Sequence, residues 1–206
     1  AQGTWENNII GNMFVGLTTE NARAEPVPGM AERWETSADG LVWTFHLRRA
    51  VWSDGEGCDA HDFEFSLKRI LDPETLSAYG SILFPIKNAE AIYTGRMDRE
   101  TLGVRALDDL TLEIELEHPA SYLPQLLKHY TAFPVPKHLV ERFGADWVDP
   151  KNIAVNGPYV LKRWWSNYIV HLERNPSFWE NDQVALDHLY FYPATDVNAA
   201  ARKVMP

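Results

Sequence analysis

Two stretches of strict alternation constrain this chain more than anything else in it. Leu41, Trp43, Phe45 and Leu47 alternate with Val42, Thr44 and His46, and Leu110, Leu112, Ile114 and Leu116 alternate with Thr and Glu. Successive side chains of a strand point to opposite faces, so each stretch predicts a strand with one buried face. Asp39-Gly40 separates the first from an extended stretch at Glu32–Thr36 and reads as a hairpin turn. Asp108-Asp109 plays the same part between a strand starting at Gly103-Val104 and the second stretch. A third hairpin, Tyr159–Trp165 with Tyr168–Glu173, follows Asn156-Gly157-Pro158, and Asp187–Tyr192 adds another alternating strand.

Helical spacing fills the intervals. Ile9, Ile10, Met13, Phe14 and Leu17 predict an amphipathic helix over 5–17, closed near Gly16. Asp59 is a fitting N-cap for a helix carrying Phe63, Phe65, Leu67 and Ile70; Asp62 suits its first turn, and Asp72-Pro73 stops it. A looser helical segment is expected around 76–92, an apolar helix over 121–130, and a short one over Lys137–Phe143. Pro26-Val-Pro-Gly29 reads as a loop, and Val51–Gly55 as a strand end and turn. Phe133-Pro-Val-Pro136 reads as a stiff extended crossing between subdomains. The fold class is therefore mixed α/β (α+β) with many hairpins.

Composition narrows the function. At 206 residues and 45% hydrophobic the chain can bury a full core. Its net charge of -10 argues against nucleic acid or an anionic membrane as the main partner. No apolar run approaches the roughly 18 residues of a membrane span. Cys58 is the single cysteine, so an internal disulfide and a cysteine metal cluster are both excluded; it reads as a loop residue without a redox task.

Catalytic and metal signatures are weak. Ser53-Asp54 and His61-Asp62 invite a hydrolytic reading, but the first is better taken as a turn and Asp62 as a first-turn helix residue. The histidines at 46, 61, 118, 129, 138, 171 and 188 are scattered without a helical ligand pairing, so no metal or other cofactor is expected. No glycine pattern cradles phosphate. Of the tryptophans, Trp34, Trp43, Trp52 and Trp179 are expected in the core. Trp164 and Trp165 fall on opposite faces of one strand, so that only one of them can be core.

As a set, these residues resemble a known family. Pro28-Gly29-Met-Ala31-Glu-Arg-Trp34, Trp43-Thr-Phe-His-Leu-Arg48, Trp52-Ser-Asp-Gly55 and Ala60-His-Asp-Phe63 are similar to the dipeptide/oligopeptide-binding proteins of ABC transporters (extracytoplasmic solute-binding protein family 5). Collinear with them run Pro134-Val-Pro-Lys137, Asn156-Gly-Pro-Tyr159, Leu172-Glu-Arg-Asn-Pro176 with Trp179, and Thr195-Asp-Val-Asn198.

The resemblance implies a non-enzymatic receptor for peptides and the N-terminal portion of a longer chain. By that resemblance the first lobe would be of the type II periplasmic-binding-protein kind, with a small β-rich domain inserted and the second lobe expected to be absent. Residues 1–14 plus 137–206 would belong to lobe I, and 15–136 would form the extra domain. It places Gln2, Gly3, Thr4 and Tyr79 at the ligand, whose main chain would lie as an added strand. It also implies a periplasmic location, export by a signal peptide not present in this chain, and a membrane permease as partner. Self-association through the face of the second lobe is a further expectation. Alternatives within the resemblance are a receptor for a nickel chelate, haem or an opine-like solute, or a truncated module without transport function.

Overall fold

Capping chemistry and strand alternation together lay one helix across one sheet. The computed structural model of the protein describes residues 4–166 and 168–193. Strands β3 (Ala31–Thr36), β4 (Val42–Leu47), β7 (Val104–Asp108) and β8 (Thr111–Glu115) form an antiparallel sheet in the order β3-β4-β8-β7. Trp43, Phe45 and Leu47 of β4 and Leu112 and Ile114 of β8 bury the predicted face. Helix α2 (Ala60–Leu71) packs on β7 and β8 through Phe63, Leu67 and Leu71, each fully enclosed. Burying a side chain of that size contributes about 1.5–3 kcal/mol.

The N-terminus of α2 carries the expected cap and more. Asp59 accepts from the backbone N–H groups of His61 and Asp62, and Asp62 returns a bond to the backbone of Asp59, completing a capping box. Asp62 is only 6% exposed. Its Oδ2 also accepts from Trp52 Nε1 at 2.9 Å, and its Oδ1 accepts from the N–H of Lys137 at 3.1 Å. One turn on, Ser66 Oγ accepts from the N–H of Val135 at 2.7 Å. Helix α5 (Lys137–Phe143) starts where this strap ends.

A second sheet, β11-β10-β9, comprises β9 (Tyr159–Trp165), β10 (Ile169–Arg174) and β11 (His188–Phe191), all antiparallel. Asn156 fastens its leading loop to the N-terminal segment, donating to the carbonyl of Val15 at 2.9 Å and accepting from its N–H at 3.0 Å. Gly157 passes so close to α1 (Thr4–Met13) that a Cβ there would lie 2.6 Å from the carbonyl carbon of Met13. Asn175 closes the loop by donating to the carbonyl of Gly157 at 2.8 Å. Phe14 meets Trp52 and Trp147 edge-on at 6.3 and 6.4 Å, joining α1 to the core that α2 covers.

Several expectations need correction. Helix α1 ends at Met13 rather than near Gly16, because Asn156 and Gly157 take the polar groups of Met13 and Val15 that another turn would use. Pro26–Pro28 is a strand, β2, paired antiparallel with β1 (Thr18–Glu20). The pairing tolerates two prolines because they occupy the positions whose nitrogens turn away from β1; the bonds of the ribbon run through Asn21 with Glu25 and Gly29 with Leu17.

The segment 76–92 is broken into a 3-10 turn (Gly80–Leu83) and α3 (Ala89–Tyr93), since Pro85 offers no N–H and Asn88 adopts a φ of 66°. Residues 121–130 hold only α4 (Leu123–Leu127), after which the His129 side chain caps a 3-10 turn at Tyr130–Ala132. Cys58 is no loop residue: it ends β6 (Gly57–Cys58), which pairs with β5 (Ala50–Val51), and is 2% exposed. Burial pushes its thiol pKa well up, with the Asp62 charge adding to the effect. Trp43 and Trp52 are core, whereas Trp34 and Trp179 are half-buried. Neither Trp164 nor Trp165 is core; they are 56% and 53% exposed, where β9 runs out past the packed end of its sheet.

Asp62 yields a signed pH expectation. Burial raises its pKa above the ordinary 3.8, against the bonds from Trp52 and Lys137. The folded state then binds a proton more readily than the unfolded one. Its contribution is therefore greatest below that ordinary value and is lost as pH rises through the folded pKa. In urea titrations from pH 4 to 7, the stability of the wild type minus that of Asp62→Asn should fall as pH rises. Asp62→Ala, which strands the buried donors, should cost about 2–4 kcal/mol at neutral pH.

Candidate functional site

Tyr79 stands at the start of the Gly80–Leu83 turn, 36% exposed, and does not stand alone. Its ring meets His129 at 5.7 Å and Tyr130 edge-on at 6.0 Å, while His129 and Tyr130 stack at 4.2 Å. The three rings make an aromatic step from residues fifty positions apart in sequence. Such a surface offers flat apolar faces together with hydroxyl and imidazole polar groups.

Local chemistry fixes each ring. The N–H of Thr131 donates to His129 Nδ1 at 3.3 Å and the Thr131 hydroxyl lies 2.9 Å from the same atom, an arrangement that favours the tautomer protonated on Nε2. Burial lowers the His129 pKa, which keeps the ring neutral. Tyr130 is pushed the other way: burial raises its pKa, and the neighbouring Tyr79 and Glu6 add to the shift. Under Tyr79, the Tyr93 hydroxyl donates to the carbonyl of Ser77 at 2.7 Å, and its ring fills the space where Gly80 lacks a Cβ. Leu76, just upstream, is held in the left-handed region at φ 52° with its side chain 86% exposed.

The predicted ligand residues fall as follows. Gln2 and Gly3 lie outside the described residues. Thr4 opens α1, and Glu6 in that helix's first turn is close enough to act on Tyr130 electrostatically. The start of α1 and Tyr79 therefore both lie near the same tyrosine. Sequence reading missed His129, Tyr130 and Glu6; the first two looked like the tail of an apolar helix, and nothing local announces a contact with residue 79.

Other groups with chemical potential are already engaged. Ser53 Oγ accepts from the N–H of Val155 at 3.1 Å, and Asp54 pairs with His138 Nε2 at 2.7 Å. His61 faces Asp109 at 3.6 Å while Asp62 is turned inward, so the suggestive pairs hold the fold together instead of converging on one another. Two shallow clefts of about 380 and 390 Å³ adjoin along the outer side of α2. Their charges are largely spoken for: Lys68 bridges Glu64 and Glu100, each at 2.8 Å, and Arg99 binds Asp72 at 3.0 Å.

Comparison with known proteins bears on this geometry. Residues 25–205 match the family described as bacterial extracellular solute-binding proteins, family 5 Middle. The chain is 44% identical over 204 residues to the periplasmic oligopeptide-binding protein OppA of Salmonella typhimurium, covering 96% of this chain and 37% of that protein. The periplasmic murein peptide-binding protein MppA of Escherichia coli is 38% identical over 208 residues, covering 100% of this chain and 38% of its own length. Among solved structures, OppA of Burkholderia pseudomallei superposes with a TM-score of 0.94 at 36% identity, over 98% of this chain and 40% of that one. The mixed helix-and-sheet architecture is thus that of this family's structures, and the chain spans well under half the length of these relatives.

The buttress beneath Tyr79 can be tested directly. In Gly80→Ala the new Cβ would fall 2.6 Å from the Tyr93 ring, so the ring must move and its hydroxyl must leave Ser77. A loss of about 1–3 kcal/mol is expected by urea unfolding, against roughly 1 kcal/mol for Tyr93→Phe.

Proposed function

Because the chain belongs to the family 5 bacterial extracellular solute-binding proteins, we propose that it is the peptide-contacting part of a receptor serving an ABC importer. The observation that carries this reading is the aromatic step of Tyr79, His129 and Tyr130 beside the first turn of α1. A peptide laid there as an extended strand would give its backbone to Thr4 and its neighbours and rest side chains on the rings. Gln2 and Gly3 would continue that backbone contact. Main-chain recognition tolerates many sequences, which suits a receptor for mixed peptides. The relatives named as oligopeptide- and murein peptide-binding proteins support the substrate class.

In this reading residues 1–14 and 137–206 contribute to a first lobe and 15–136 form a smaller extra domain. The two parts meet where Asn156 clasps Val15 and where the N–H of Lys137 reaches Asp62 of α2. The receptor acts outside the cytoplasm, delivers its peptide to a membrane permease, and performs no chemistry on it. Closure over the ligand requires contacts from a second lobe, and the surface that lobe would meet is where copies of this chain alone would associate.

Titration of the isotopically labelled chain with a pool of tri- to pentapeptides, followed by NMR, tests the reading. Shifts are expected first at the amides of residues 4–7, 78–80 and 129–131. Tyr79→Ala should weaken the response by about tenfold, the worth of one aromatic contact, and Tyr79→Phe by less. Shifts centred elsewhere, or an unchanged response in Tyr79→Ala, would overturn the site.

A further inference from the structure

The histidines look scattered in sequence, yet folding brings two of them together on the second sheet. β10 and β11 pair antiparallel with His171 opposite Tyr190 and Glu173 opposite His188. All four side chains therefore share one face. On that face His171 Nε2 and His188 Nδ1 lie 3.1 Å apart. Tyr190 stacks on the His171 ring at 4.4 Å and 11°, which fixes the ring's orientation.

That separation has a second meaning besides a hydrogen bond. Two imidazole nitrogens on one ion at about 2.0–2.1 Å stand about 2.9 Å apart at a right angle and about 3.3 Å apart at the tetrahedral angle. The observed 3.1 Å falls between them. We propose that His171 and His188 form a two-imidazole chelate for a divalent transition metal ion, with solvent completing its coordination. The order of affinities for nitrogen ligands puts Cu²⁺ ahead of Zn²⁺.

The surroundings suit an open, exchangeable site. Neutral imidazole is the form that binds metal, and the cations near His171 are Arg163 and Lys162. Lys162 is neutralised by Glu173 at 2.7 Å, and the Arg163 guanidinium sits over the Trp165 ring at 4.7 Å. Among the described residues no three His, Cys, Asp or Glu side chains converge, so the protein supplies two ligands here. The proton now shared between the rings moves to the far nitrogen of its own ring when metal enters. Two neutral imidazoles therefore release none.

Calorimetric titration of the chain with CuCl₂ and with ZnCl₂, in a buffer that does not coordinate metal, tests this. One equivalent should bind, Cu²⁺ more tightly. His171→Gln or His188→Gln should each weaken binding by roughly tenfold or more. His138→Gln should leave it unchanged. In parallel, substoichiometric Cu²⁺ should broaden the NMR resonances of His171, His188 and Tyr190 before any others. Absence of binding, equal binding in His188→Gln, or broadening that begins elsewhere would each overturn the proposal.

Discussion

The carboxylate of Asp62 gathers N–H groups from three separate parts of the chain: the indole of Trp52, the cap residue Asp59 and the first residue of α5. Much of the architecture hangs from that meeting. Trp52 is held in place for the edge-on contact with Phe14, and the strap at 133–137 is drawn along α2. The strap's sequence fits the task closely. Prolines at 134 and 136 leave Val135 and Lys137 as its successive donors, and these reach Ser66 and Asp62. The four residues from Asp62 to Ser66 rise about 6 Å along the helix and two extended residues span about 6.6 Å, so the two spacings match. A buried carboxylate is normally a liability; here hydrogen bonds replace its lost water, and the cost is met by fixing where two helices begin.

Much of this was legible in advance. The alternation of Leu41–Leu47 and Leu110–Leu116, the cap at Asp59 and the hairpin after Pro158 each rest on local physics, and each was readable from neighbouring residues. The errors have a common cause in long-range competition. Nothing near Met13 reveals that Asn156 will claim the backbone of Val15. Nothing near Pro26 reveals that its missing N–H faces away from a partner. Apolar runs at 76–92 and 121–130 suggested regular helices, while Pro85 and the capping side chain of His129 divided them into single turns.

The candidate site shows the same division. Tyr79 was reached by resemblance, but its stacking partners follow only from tertiary packing. Short pieces build the step: a 3-10 turn, a capped dipeptide and the first turn of a helix. Their precision comes from side chains beneath, chiefly Tyr93 in the space left by Gly80. A left-handed leucine at position 76 costs of order 1–3 kcal/mol and closes the 3-10 turn at Pro73–Thr75, its N–H donating to the carbonyl of Pro73. The paired histidines of the second sheet were equally invisible, since the two rings that meet stand seventeen positions apart in the chain.

The prolines of β2 have an effect beyond the ribbon they join. β2 is paired on one side only, with β1. On its free side, positions 26 and 28 turn their backbones outward, and there proline presents carbonyl oxygen without any N–H. A neighbouring strand from another molecule would find acceptors but no donors, and could not extend the ladder. The same residues that made this segment look like a loop thus act as a stop against edge-to-edge aggregation.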